Sequence, residues 1–522
     1  MFLQELNRLY ETIHPPSFQT RYMSWWIAQE SNDRSGEAVR DEDIDFGLLV
    51  LRVCLLSIQS LPHSKFPTIG VLKSHPEAME QWYSSLADEL DKSQPPTKKP
   101  SIETVQHRFL HVGYLKNYGK VRASWSVLST AVRDAHEMGL HLKDPGIPIS
   151  DLEMELRRRT FWNLYVWDRY MCTFFGHWPL IPEGYFDIEP PHDNLQPFTV
   201  KPYVLTPFTD RIFHIKLARY LTAFMSPPSW KSDQQEPAVA SEFAQRFHQV
   251  ILDQLPPPFS LESPDVSWDV AHPALTMKRE TLGLFIHIIE ASLYRSFMDP
   301  CKNLHHGHSV RAKPGPDLLA LSHRRSLMET TCKIISCIGK LYALTGNEEG
   351  GSIDRLFTLP VALVDSLATL GVCLLSIQAD ERRLLKEGMH TVADSILQRS
   401  YNRFFDAFGL LYRQAPHNTF AKRGVKVLEG LHGALRAGLS GPDRFEASPT
   451  GSTMMGSFQG PTHRTEYFQL EQALVSLHAN GGGEEPLGRS FIALPEWLPS
   501  FLESPARNWL IHSQFFFGDI LA

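Results

Sequence analysis

Residues 101–191 constrain the fold more than any other stretch, because helix starts, apolar stripes and stops follow one another there in register. After Gly119, the residues Val121, Trp125, Leu128, Val132 and Ala135 recur at the spacing of one face of a 3.6-residue period. Gly139 stands where such a helix ends in a left-handed residue, a conformation glycine adopts without strain, and Leu140 can fold back on the last turn. Gly139-Leu140-His141-Leu142 therefore reads first as a helix stop, with His141 a packed or surface histidine rather than a ligand. Ser150-Asp151-Leu152-Glu153 fits a capping box that opens the next helix.

That next helix carries Glu155, Arg157, Arg158 and Arg159, then Phe161, Leu164, Asp168, Met171 and Phe175 along one stripe. The arginines fit a phosphate-contacting patch or ion pairs with carboxylates on neighbouring helices, and the second reading is preferred. Asp168 stands among apolar neighbours, where a carboxylate needs a cationic or hydrogen-bonding partner. Arg157 and Arg158 lie about three turns away on the same helix, so a neighbouring helix is expected to supply it. Trp125, Phe161, Trp167 and Phe175 belong to a dense aromatic group. It reads mainly as core, and more sharply as a candidate effector pocket.

The 522 residues are 43% hydrophobic and 21% charged, enough to bury a large core. A net charge of −7 lacks the basic footprint of a free-standing DNA-binding domain. Helical periodicity dominates, with long segments expected over 273–298, 318–345, 355–387 and 389–437, and no alternating run marks a strand. The fold class is all-α: stacked antiparallel helices over 1–438, a Gly/Ser/Pro-rich linker over 439–464, and a C-terminal extension over 465–522. The extension reads equally as an acidic, apolar activation segment or as a last helix docked on the body. The apolar run 359–377 contains Pro360, Asp365 and Ser366 and reads as a buried helix, so no membrane partner is expected.

Further pieces point to one family. The chain has Trp167-Asp168-Arg169 with Glu155 and Trp162 upstream, then Gly176, Pro179, Ile181, Asp187 and Pro190 in order downstream. HPPSFQTRYMSWW lies near the start, and LDQLPPPF and ASLYRSFMDP lie further on. Together these resemble the fungal-specific transcription factor domain, the regulatory body of zinc binuclear cluster regulators. About residues 1–440 can be laid on it. The chain departs from the pattern at Gly176-His177-Trp178-Pro179, where the family often has Gly-Arg-Pro, and at the degenerate Tyr294-Arg295-Ser296-Phe297.

The resemblance implies an all-helical nuclear protein without catalytic residues that regulates a metabolic or biosynthetic gene set. Its implied partners are the transcription machinery, a small-molecule effector and a second copy of itself. It implies zinc only in a separate N-terminal cluster of six cysteines. This chain has six cysteines but no C-x-x-C pair, and the first, Cys54, sits in an apolar run. DNA contact is therefore assigned to no residue here, and is expected to be indirect, through a module preceding these residues or through a partner.

Two other classes compete. A metal-dependent prenyl-diphosphate enzyme would use the run Asp41, Glu42, Asp43 and Asp45, but no second acidic motif faces it. A helical adaptor would show a fixed repeat, and none is evident. Cys301, His305, His306 and His308 form the one metal-like cluster and read as a loop without a functional metal.

Overall fold

In the computed structural model, the described residues are 2–3, 6–35, 40–61, 76–95, 97–175, 178–192, 208–225, 237–295, 318–344, 358–386, 395–416 and 418–439. Among them there are helices and turns but no strand. The linker and extension expected over 439–464 and 465–522 lie outside the described residues, apart from Leu439, as does the cluster of Cys301, His305, His306 and His308.

The N-terminal half contains α1 (Asn7–Tyr10), α2 (Pro15–Ser35), α3 (Asp41–Ser60), α4 (Pro76–Ser93), α5 (Ile102–Asn117), α6 (Val121–Glu137), α7 (Asp151–Phe175) and α8 (Thr209–Met225). The remainder contains α9 (Pro237–Val250), α10 (Leu275–Tyr294), α11 (Leu318–Leu344), α12 (Thr358–Lys386), α13 (Ser395–Gln414) and α14 (Thr419–Leu439). Helix α5 packs between α3 and α6. Helix α7 lies on α5, α6 and α8, and α8 hands on to α10. Helices α10, α11 and α12 follow as neighbours, with α13 and α14 against α12. One apolar core runs through both halves, from Phe2 to Leu435.

Start and stop chemistry sets these boundaries. Ser101 accepts from the Thr104 N–H at 3.1 Å while Thr104 Oγ1 accepts from the Ser101 N–H at 3.0 Å, a reciprocal cap on α5. Helix α6 ends at Gly139 with φ +66°, and the Leu140 N–H reaches back to the Ala135 carbonyl at 2.8 Å. This is the six-to-one bond of a Schellman stop, and Leu140 is buried under it. At the start of α7, Ser150 Oγ accepts from the Glu153 N–H at 3.2 Å, while the Glu153 carboxylate lies 3.4 Å from Arg157 Nε.

The segment expected as one helix over 389–437 is two. Helix α13 ends at Gln414, and Asn418 caps α14 by accepting from the Ala421 N–H at 3.0 Å. Pro416 gave the signal. Its ring removes an N–H and disfavours helix at the residue before it.

The acidic run opens α3, with Asp41, Glu42 and Asp43 in its first turn, where carboxylates oppose the positive helix end. Asp43 pairs with Arg40 at 2.8 Å and Asp45 with Lys98 at 2.7 Å. Among the described residues, α12 is long and apolar enough to cross a membrane over Thr358–Ile377, yet 78% of that window is buried inside the fold. Its Asp365 is held by both terminal nitrogens of Arg295, which follows α10.

Candidate functional site

The motif residues of α7 divide between two faces of one helix. On one face, Asp168 and Arg169 pair with each other at 2.5 Å, and both are fully buried. Asp168 also accepts from the backbone N–H groups of Leu180 at 2.9 Å and Ile181 at 3.0 Å. Arg169 donates to the Ile181 carbonyl at 2.5 Å, to Thr222 Oγ1 of α8 at 2.5 Å and to Glu183 at 3.2 Å. Burial pushes the Asp168 carboxyl up, opposed in turn by Arg169 and the two backbone donors.

The partner expected from a neighbouring helix is therefore the next residue on the same one. Helical geometry points residues i and i+1 about 100° apart, but the arginine stem is long enough to bring its guanidinium back beside the carboxylate. The pair clasps residues 180–183 onto α7 and α8. Ile181 contributes main-chain atoms to that clasp, and Pro179 is half-buried beside it. Gly176 and the side chain of Phe175 lie outside the described residues.

Most of the other motif residues hold the stretch that follows, residues 187–192. Glu155 is buried, lies 3.1 Å from Arg159 Nε and 3.7 Å from Arg158, and accepts from the His192 N–H at 3.2 Å. Arg157 donates to the Met138 carbonyl at 3.2 Å, Arg158 lies 3.5 Å from Glu189, and Arg159 stacks on Phe208. All three arginines thus face protein partners. Trp162 Nε1 donates to the Glu189 carbonyl at 2.9 Å. The His141 carbonyl accepts from the N–H groups of Asp187 at 3.1 Å and Ile188 at 3.2 Å, so its main chain does the holding. Burial pushes the His141 imidazole down, which favours the neutral ring.

The opposite face of α7 lines a cavity of about 100 Å³. Val166, Trp167, Tyr170 and Met171 form one wall; α1, α5, α8, α10, α11 and α12 contribute the rest. Of the four aromatics proposed from sequence, Trp167 lies here. Phe161 is fully buried against Trp162 and Phe186, and Trp125 is half-buried on α6; neither lines this cavity.

Sequence reading missed the polar lining, because its members come from helices far apart in the chain. Arg211 donates to the Leu9 carbonyl at 3.2 Å and to Asn163 Oδ1. Lys278 lies 3.4 Å from Glu11 and 3.2 Å from Asp210. His214 Nδ1 is 2.8 Å from the Tyr170 hydroxyl, and burial beside Arg211 and Lys278 pushes the imidazole well down, keeping it neutral. Lys116 sits at the last turn of α5 with its ammonium 4.1 Å from the Trp167 ring centroid. Among the described residues no carboxylate pairs with it, and desolvation pulls its pKa down to about 8.

The described residues do not fit a zinc cluster. The described cysteines, Cys54, Cys172, Cys332, Cys337 and Cys373, are free and sit on α3, α7, α11 and α12. Burial pushes the thiols of Cys337 and Cys373 up to about 12, which opposes the thiolate a zinc ligand requires. Among the described residues, no group of three or more His, Cys, Asp or Glu side chains is placed to hold a metal.

The comparisons with known proteins agree with the motif geometry. Residues 1–251 match the fungal specific transcription factor domain. The chain is similar to the probable transcription factor sol4 of Alternaria solani, 27% identical over 384 residues, covering 71% of this chain and 65% of that protein. It is similar to the transcription factor xilB of Penicillium rubens, 24% identical over 360 residues, covering 66% of this chain and 51% of the relative. A shorter likeness, 28% over 81 residues, covers 16% of this chain and 9% of an ABC-transporter-regulating transcription factor of Aspergillus fumigatus. The chain thus spans between half and two thirds of the length of sol4 and xilB. From the His-Pro segment through the clasp of Asp168 and Arg169 to the end of α9, residues 1–251 of this chain match the fungal specific transcription factor domain.

Proposed function

We propose that this protein is a nuclear transcription regulator whose helical body modulates the expression of a metabolic or biosynthetic gene set. The family match over residues 1–251 carries the reading, and two relatives aligned over more than 350 residues bear the name of transcription factors. The disposition of the motif residues supports a regulatory body rather than an enzyme. Asp168, Arg169, Glu155 and the three arginines are spent on internal clasps. DNA contact belongs to a zinc module or a partner protein, and the net charge of −7 fits a body that does not bind the duplex itself. Zinc, on this reading, belongs to that module.

The test is to fuse the chain to a foreign DNA-binding domain and measure a reporter carrying that domain's sites. A change in reporter output relative to the foreign domain alone is expected. No change in either direction, with the fusion folded and nuclear, would overturn the reading. Gel-shift titration of the unfused chain is expected to show weak, salt-sensitive binding without sequence preference.

A further inference from the structure

We propose that the cavity between α5, α7, α8, α10 and α12 is a binding site for a small monocarboxylic acid with a short branched or aromatic body, its carboxylate seated on Lys116. Binding rests on the cavity; the regulatory consequence rests on the transcriptional reading above.

The charge balance of the walls carries the sign. Three cations face or border the space: Lys116, Arg211 and Lys278. Two carboxylates answer them, Asp210 in the wall and Glu11 behind Lys278. His214 is held neutral by burial, and the hydroxyls of Tyr10 and Tyr170 are pushed further from ionisation by the same cause. Among the described residues one positive charge is left over. Lys116 is its bearer: Lys278 lies between both acids, Arg211 shares the field of Asp210 and Glu11 and donates to Leu9 and Asn163, while Lys116 has only the face of Trp167 beneath it. A half-buried ammonium without a counter-ion is costly, and a bound carboxylate would remove that cost.

The remaining wall sets the body of the ligand. Trp167, Met171, Leu284, Phe285 and Leu341 present apolar surface, with the Thr281 hydroxyl among them. An apolar cavity with a few converging polar groups is the usual form of a small-molecule site. A volume of about 100 Å³ exceeds what a lone water needs and approaches the roughly 150 Å³ that takes up benzene in an engineered cavity. That space suits one ring or one branched chain. A dicarboxylate would bring a second charge for which no cation is left among the described residues.

The site also has a place in the fold through which occupancy can be transmitted. One part of its wall comes from within residues 1–251, through α1, α5, α7 and α8; the other comes from α10, α11 and α12. A ligand bridging them stabilises the arrangement in which both walls are present, by the ordinary linkage of binding to conformation.

The test uses the full purified chain with benzoate, phenylacetate and 4-methylpentanoate as probes, each beside its neutral amide. Thermal unfolding and tryptophan fluorescence are read as functions of concentration. At least one acid is expected to raise the Tm and change the fluorescence saturably, with its amide binding tenfold or more weakly. Lys116→Met is expected to abolish that preference and Lys116→Arg to keep it. Absence of saturable binding by all three acids, equal binding of acids and amides, or an acid preference unchanged in Lys116→Met would each overturn the proposal. The acid–amide comparison on the unaltered chain decides the matter even if a variant fails to fold. Because binding is read without a promoter, a silent reporter fusion and a silent titration are separate failures.

Discussion

Asp168 and Arg169, adjacent on α7 and fully buried, neutralise each other and together grip the main chain at Leu180 and Ile181. Removing Arg169 leaves the Asp168 charge buried with only backbone donors, and removing Asp168 leaves the buried Arg169 with only the more exposed Glu183 as counter-charge. We expect Asp168→Ala and Arg169→Ala each to destabilise the fold by about 3–5 kcal/mol, measured by urea unfolding. The double variant should cost less than the sum of the two. Additive losses would mean that the charges do not depend on each other.

Arg295 and Asp365 tie the end of α10 to the middle of α12. Asp365 lies within an otherwise largely apolar helix, so the pair acts as a register pin between two helices. Asp365→Ala should cost about 3 kcal/mol by stranding Arg295. Asp365→Leu with Arg295→Met should recover most of it, since a well-packed apolar pair is often no worse than a buried ion pair. Thermal unfolding of the four proteins checks this.

Helices α12 and α14 approach each other at two glycines. A Cβ at Gly371 would come within 2.8 Å of Leu431 Cγ, and one at Gly424 would overlap Val364. Gly371→Ala and Gly424→Ala should each lower stability by about 1–3 kcal/mol through overpacking, although alanine is the better helix former. Gly433, with nothing within 4 Å of its added Cβ, is the control, and Gly433→Ala should be neutral or stabilising.

Acid should unfold the body from below pH 6.5. Burial holds His107 and His214 well below the ordinary value of 6.5 and, with Arg52, lowers His111 to about 3. The unfolded chain takes up these protons below pH 6.5 while the fold resists them. The stability they contribute is therefore whole above pH 6.5 and is lost as the pH falls toward 3. The proton uptake on unfolding near pH 5, read from the slope of stability against pH, should drop when His111 is replaced by glutamine.

Much of the frame was legible because helices are written locally. The Gly139 stop, the Ser150 cap and the stripe through Leu128 and Val132 depend on residues within one or two turns, and the structure places each where the spacing puts it. The break at Pro416 is encoded in the same local terms, but the apolar period running over 389–437 reads as a single helix and hides it. Asp168 was recognisable as a buried charge from its stripe, but its partner was not, because spacing along a helix says where a Cβ points and not where a long side chain ends.

By itself, the sequence determined that the chain is helical, where most of its helices begin and end, and which family its motifs belong to, since these follow from backbone conformation and short-range order. The tertiary structure alone decided that Trp167 faces a cavity while Phe161 does not, that Arg211 and Lys278 line the space with Lys116, and that no carboxylate among the described residues pairs with Lys116. Charge balance in a buried space is a sum over helices up to 270 residues apart in the chain, such as Glu11 and Lys278. No local pattern encodes that sum; only packing brings its terms together.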